Sequence, residues 1–163
     1  MENTSFVSQL HLFTAIAALF TGALVLVLPK GTRLHKRIGY VFALALVLLN
    51  VSAAFMYNLT GSFNFLHVFI IISMASLIYG MVPAIRRKSS TWLRHHISGM
   101  TGAALGVWAA GFAEFTVRVL PGVLSPSYII GVAIGIGVVF FFLIGYLIIG
   151  FDGLQEKYNQ GNV

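Results

Sequence analysis

The sequence has no cysteine and only four acidic residues among its 163 residues. The absence of cysteine excludes disulfide bonds, thiolate zinc sites and thiol catalysis. Charged residues make up 9% of the chain, whereas an ordinary soluble domain has about 25%. Because so few polar side chains cannot cover the surface of a globule, and the mean hydropathy is +0.92, the composition argues strongly against a soluble fold.

Apolar residues are concentrated in five runs, which we place at residues 8–28, 38–57, 65–85, 97–120 and 128–151. A helix needs about 20 apolar residues to cross a hydrocarbon core of about 30 Å. No run shows the alternation of polar and apolar residues that a membrane β-barrel requires. The sequence therefore predicts an all-α integral membrane bundle of five transmembrane helices. It forms a single domain over residues 1–163, with a short tail at 152–163.

Basic residues are concentrated in two loops on the same side of the predicted membrane. Eight of the ten lysines and arginines lie at positions 30–37 and 86–94. By the positive-inside rule these loops are cytoplasmic, which places the N-terminus outside and the C-terminus in the cytoplasm. Because membrane flanks the loops on both sides, we expect them to contact anionic lipid headgroups and no nucleic acid. The protein is expected in the lipid bilayer of a bacterial inner membrane.

Small residues form candidate packing faces on the last two helices. Gly102 and Gly106 in helix 4 are four residues apart, as are Gly131 and Gly135 in helix 5. Such pairs allow helix backbones to approach closely in lipid. The faces could serve packing within the chain, leave room for a flat cofactor, or support a homo-oligomer.

Ionisable residues gather at the end of the bundle that we expect to face outside. His11, His67 and Glu114 come from three different helices, and Tyr57 lies at the same depth. Ionisable groups within membranes are costly and tend to be functional. Two histidines and a carboxylate suit a Zn, Fe or Cu site with a position open for water or substrate. Alternatively, Glu114 only forms an ion pair with Arg118, one turn later.

A second set of histidines lies at the basic end. His35 comes just before helix 2, and His95 and His96 come just before helix 4. Histidines from different helices commonly serve as the axial ligands of haem b. The pairs would be His11 with His67 outside, and His35 with His96 inside. Four cations are candidate partners for the haem propionates: Arg33, Lys36, Arg37 and Arg94.

Residues 34–40 and 94–100, together with His11, resemble a family of bacterial polytopic membrane proteins that is catalogued as a domain of unknown function. That family has a His-Arg-x-x-Gly-Arg element at the start of one helix and a His-x-x-Trp-Met element at the start of another. The resemblance covers about residues 8–120 and leaves the fifth helix outside. The general plan also looks like that of small b-type cytochromes.

The family residues are present at four positions: His35, Gly39, His96 and Met100. The chain departs from the family pattern at three positions: Lys36, Tyr40 and Gly99. Lysine and tyrosine replace the two arginines, and glycine replaces tryptophan. The resemblance implies that His11, His35 and His96 matter, but it supplies no reaction.

Three classes of function remain open. The first is a haem protein of membrane electron transfer, and the second is a non-haem metal-dependent membrane enzyme using the outer site. The third is a non-enzymatic membrane subunit or a small transporter, for which Asn50 is the clearest polar residue within the membrane. Our prediction is the binding of haem b or a metal ion through inter-helical histidines.

Overall fold

The computed structural model describes residues 6–56, 66–119, 121, 123 and 125–159, and of residues 66, 126 and 152–159 only the backbone. The five helices are α1 (Phe6–Val27), α2 (Arg33–Ala54), α3 (Leu66–Arg86), α4 (Trp92–Val119) and α5 (Pro126–Asn159). Each is long and apolar enough to cross a membrane. The predicted all-α class with five membrane helices is thereby confirmed. Tyr57 lies outside the described residues.

Two helices begin about a turn earlier than the hydropathy predicted. Helix α2 starts at Arg33 and α4 at Trp92, so the prediction that the histidines precede these helices is wrong. An apolar run marks only the membrane-embedded part of a helix, whereas the helix itself extends back to its cap. In α2 the cap is Thr32, whose side-chain oxygen accepts a hydrogen bond of 3.1 Å from the backbone N–H of His35.

The last helix is longer than predicted. Helix α5 continues to Asn159, so residues 152–159 belong to a helix and the predicted tail was wrong for them. Residues 154–157 are Leu, Gln, Glu and Lys, which are all good helix formers. These helix-forming residues, most of them polar, therefore extend the helix beyond the end of the apolar run. Residues 160–163 lie outside the described part of the chain.

The first four helices form a closed ring of neighbours. Helix α1 packs on α2, α2 on α3, α3 on α4, and α4 on α1, while α5 packs on α4 from outside the ring. Helices α2 and α4 therefore face each other across a diagonal. Helix α4 is the most buried of the five and α5 the least. The core cluster draws residues from all four helices of the ring, and among its most deeply buried members are Ala18, Phe42, Leu46, Ala103 and Ala104.

Helices α3 and α4 make their closest approach at a pair of glycines. A Cβ atom on Gly80 would lie 2.8 Å from the backbone nitrogen of Met100, and one on Gly99 would overlap the backbone of Gly80. Only glycine permits this crossing at either position. Gly80 carries no signal of this role in the sequence, because no pattern within one helix shows which residue of another helix it meets.

The predicted small-residue pairs are used in different ways. A Cβ atom on Gly102 would meet the side chain of Ser76 at 3.5 Å, so Gly102 faces α3. Cβ atoms on Gly106, Gly131 and Gly135 would meet no described atom within 4 Å. Gly106 borders a cavity. A role for the glycines of α5 in a homo-oligomer stays a prediction.

Candidate functional site

A cavity of about 400 Å³ lies at the end of the bundle that carries the α1–α2 and α3–α4 connections. We call it the basic-end cavity. His35 from α2 and His96 from α4 both line it. The two histidines thus reach the same space from helices that lie diagonally across the ring. The sequence predicted this pair, and the structure brings it together.

The two imidazole rings of the basic-end cavity lie next to each other. The centroids of the His35 and His96 rings are 6.3 Å apart, and the ring planes are inclined by 85°. The ring of Trp92 lies 6.4 Å from that of His96 and also lines the cavity. An aromatic wall on one side therefore limits the positions that the His96 ring can take.

Hydrogen bonding fixes the tautomer of His96. Its Nδ1 lies 3.0 Å from the carbonyl oxygen of Gly80. A carbonyl oxygen only accepts, so Nδ1 carries the proton, and the neutral ring keeps its lone pair on Nε2. On His35, Nδ1 is buried and has no hydrogen-bond partner among the described residues. The pair therefore offers nitrogen lone pairs or N–H groups that the described protein does not use.

Among the residues whose side chains the structure describes, three cations line the basic-end cavity, namely Lys30, Lys36 and Arg87. The Lys30 ammonium donates hydrogen bonds of 2.8 Å and 2.6 Å to the carbonyl oxygens of Val25 and Leu26. It thereby supplies a positive group to the C-terminal end of α1. Burial lowers the pKa of Lys30 below its ordinary value. The Arg87 guanidinium lies 4.8 Å from the ring centroid of Trp92, close enough for a cation–π contact.

The four cations that the sequence suggested as partners for haem propionates lie in different places. Lys36 lines the cavity, whereas Arg33, Arg37 and Arg94 are exposed and do not belong to its wall. Lys30 and Arg87 also line the cavity. In the sequence both residues only add to the basic loops that indicate topology, because a loop residue that folds back onto its own helix leaves no spacing pattern.

His95 does not belong to the basic-end cavity, although it is the neighbour of His96 in the sequence. Its ring centroid lies 5.0 Å from that of Tyr79 on α3. Adjacent residues of a helix point about 100° apart, since one turn takes 3.6 residues. The structure therefore separates the two histidines: His96 lines the cavity, whereas His95 packs against Tyr79 outside it.

A second cavity of about 130 Å³ lies toward the other end of the bundle, and we call it the Glu114-end cavity. His11, His67 and Glu114 all line it, so their predicted convergence is observed. Asn50 and Ser73 line it as well. His67 is buried, with 6% of its surface exposed.

Glu114 makes contacts on both sides within the Glu114-end cavity. The Nε of Arg118 donates a hydrogen bond of 2.9 Å to Oε1 of Glu114. A terminal nitrogen of the same guanidinium lies 2.8 Å from that oxygen. The Nε2 atom of His11 lies 3.6 Å from Oε2, and its Nδ1 lies 3.3 Å from the hydroxyl of Ser52. The expected ion pair is thus present, and both ring nitrogens of His11 face protein groups.

The predicted set of three metal ligands is not formed at the Glu114-end cavity. Among the described residues, no group of three or more His, Asp or Glu side chains is arranged to hold a metal ion. His11 and Glu114 approach each other as an ion pair would, instead of pointing to a common centre. The structure therefore brings the predicted residues to one place without giving them the geometry of a ligand set.

Comparison of the chain with protein-family models, with curated proteins and with solved structures finds no match. The resemblance carried by residues 34–40 and 94–100 accordingly stays a prediction. Support for the fold and for the two cavities therefore comes from the residues of this chain alone. The chain is a multi-pass membrane protein in which two cavities, each lined by two histidines, lie toward opposite ends of a helix bundle.

Proposed function

We propose that this protein binds haem b in the basic-end cavity, with His35 and His96 as axial ligands, and takes part in membrane electron transfer. The observation that carries the proposal is the distance of 6.3 Å between the two ring centroids. A metal bonded to both rings at about 2.0 Å, with about 1.2 Å from each nitrogen to its ring centre, requires about 6.4 Å. The perpendicular ring planes agree with two ligands rotated about a common axis.

The hydrogen bond from His96 to Gly80 supports the same role. Histidines that bind a metal usually donate their other N–H to a carbonyl or a carboxylate, which fixes the tautomer and raises the basicity of the ligand. In His96 that partner is the Gly80 carbonyl oxygen. The remaining nitrogen, Nε2, is the one that would bind iron.

The size and charge of the basic-end cavity also suit the cofactor. Its volume of about 400 Å³ falls within the range of roughly 300–1,000 Å³ for ligand and cofactor sites. Lys30, Lys36 and Arg87 would bind the two propionates through charge-assisted hydrogen bonds. Apolar residues of the wall such as Met100 would keep water from the ring and so raise the reduction potential.

We limit the proposal to one haem. The Glu114-end cavity has about 130 Å³, and both nitrogens of His11 already face Ser52 and Glu114. A haem near one end of the bundle would exchange electrons with a partner at that face. It would not carry them across the membrane unaided.

The test is the haem content of the protein purified in detergent from cells that are supplied with iron. We expect a Soret band, a spectral change on reduction with dithionite, and about one haem per chain. His35→Ala and His96→Ala should each abolish most of the bound haem. The matched control is His95→Ala, because His95 is adjacent in sequence but packs on Tyr79 and should leave the haem content unchanged.

Two results would contradict the proposal. A colourless preparation that contains stoichiometric zinc, iron or copper would favour a metal centre without a porphyrin. Equal loss of haem from the His95, His35 and His96 variants would mean that binding does not depend on the cavity geometry.

A further inference from the structure

Asn50 has an amide group that the described protein satisfies only on one side. Its carbonyl Oδ1 accepts a hydrogen bond of 2.9 Å from the hydroxyl of Ser73. Its Nδ2 is buried, without a hydrogen-bond partner among the described residues, in a side chain that is only 7% exposed. A buried donor without an acceptor is costly, so each such group calls for an explanation.

The surroundings of Asn50 indicate what kind of acceptor would fit. The residue lines the Glu114-end cavity, whose wall is mainly apolar. The wall also contains Glu114 and Arg118, which neutralise each other at 2.8 Å. No uncompensated charge is thus left among the described wall residues to attract an ion. The acceptor should therefore be an oxygen of an uncharged molecule.

The volume of the cavity limits the size of that molecule. An apolar cavity of roughly 150 Å³ admits one benzene ring, and the Glu114-end cavity has about 130 Å³. Gly106 keeps this space open, since a Cβ atom there would meet no described atom within 4 Å. Ile72 forms part of the wall and is 54% exposed on the lipid-facing surface of α3. A ligand could thus enter from the bilayer.

We propose that the Glu114-end cavity binds the head group of a lipid-soluble benzoquinone, that is, one six-membered ring that carries carbonyl groups. Asn50 Nδ2 donates a hydrogen bond to the carbonyl oxygen, and the ring occupies the space beside Gly106. The proposal goes beyond haem binding and does not rest on it, because it concerns a different cavity and other residues.

The experiment is a binding titration of the purified full-length chain in detergent with three probes. Decyl-benzoquinone carries both the ring and the acceptor, whereas decylbenzene has the same ring without an oxygen. A decyl-naphthoquinone has the carbonyls on two fused rings. We expect saturable binding of the benzoquinone at about one molecule per chain. Decylbenzene should bind about 3- to 10-fold more weakly, as the loss of one hydrogen bond implies, and the fused ring should be excluded by size.

Two variants test the two parts of the site separately. Asn50→Leu keeps the side-chain size and removes the donor, and it should reduce benzoquinone affinity to that of decylbenzene. Ser73 keeps a second acceptor in the carbonyl oxygen of Ile70 at 3.2 Å, so this change should not unfold the chain. Gly106→Val fills the cavity and should abolish binding of every probe.

The matched control is Gly135→Val on α5, where a Cβ atom also meets no described atom within 4 Å and which does not line the cavity. It should bind the benzoquinone as the unchanged protein does. Absence of saturable binding to the folded wild-type chain would overturn the proposal and leave a cavity filled with water. Equal affinity for benzoquinone and decylbenzene, or full affinity in Asn50→Leu, would also overturn it. Haem content, measured in the same samples, reports separately on the basic-end cavity.

Discussion

His96 and Gly80 are joined by a hydrogen bond of 3.0 Å between the imidazole Nδ1 and the backbone carbonyl oxygen. The bond can form because α3 and α4 cross with Gly80 directly against Gly99 and Met100. The same crossing therefore sets the distance between two helix backbones and the tautomer of a candidate ligand. Packing and chemistry at the basic end are coupled through one glycine.

The first prediction concerns this crossing. Gly99→Ala places a methyl group where the Gly80 backbone lies, so α3 and α4 must separate. We expect the free energy of unfolding to fall by roughly 1–3 kcal/mol, as overpacking in a close contact does. The bound haem should fall as well, because the Gly80 carbonyl moves away from His96. Thermal unfolding in detergent and the haem-to-protein ratio measure the two effects.

Gly106→Ala is the control for that change. It adds the same methyl group to the same helix, but at a position with open space around the Cβ atom. Alanine is also the better helix former by about 1 kcal/mol. Its stability should equal or exceed that of the wild type. Equal destabilisation by both variants would show that the loss of glycine, and not the helix crossing, is responsible.

The second prediction concerns the ion pair at the Glu114 end. Arg118→Gln leaves the Glu114 carboxylate with only His11 at 3.6 Å, so it should be less stable than the double variant Glu114→Gln with Arg118→Gln. Because Arg118 is about half exposed, the difference should stay below about 1 kcal/mol. Unfolding curves of the wild type, Arg118→Gln and the double variant measure it. A double variant that is less stable than Arg118→Gln would assign Glu114 a further role.

The third prediction concerns membrane orientation, and the natural absence of cysteine makes the test clean. The basic loops should be cytoplasmic by the positive-inside rule. A cysteine in place of Lys88 should react with an impermeant thiol reagent only after the cells are opened. One in place of Val123, which is exposed in the α4–α5 connection, should react in intact cells. Labelling of both from outside would mean that one helix does not cross.

The fourth prediction concerns Lys30 and pH. Burial lowers the pKa of Lys30 in the native state from the ordinary value of 10.5. As the pH rises toward that value, the native state releases the proton first, so the unfolded state binds more protons. The free energy of unfolding therefore rises with pH in this range. Compared with Lys30→Met, the wild type should gain stability between neutral pH and about pH 10. A difference that is constant over this range would contradict a lowered pKa of Lys30 in the native state.

The sequence alone determined the membrane character and the number of helices. Five apolar runs and 9% charged residues leave no other way to satisfy backbone hydrogen bonds in lipid than a helix bundle. It also determined that His11, His67 and Glu114 lie at one end, because depth in a membrane follows from counting residues along each helix. The helix ends at Trp92 and Asn159 were missed, since hydropathy marks the lipid boundary and not the cap.

Only the tertiary structure decided which side chains meet. His35 and His96 share a cavity while His95 does not, and Lys30 lines that cavity while the predicted arginines do not. The pairing of Gly80 with Gly99 likewise has no signature along the chain, and neither does the Asn50 amide nitrogen, which finds no partner among the described residues. The physical reason is rotation: an apolar helix carries no polar stripe to fix its orientation in lipid, so packing between backbones decides which face turns inward.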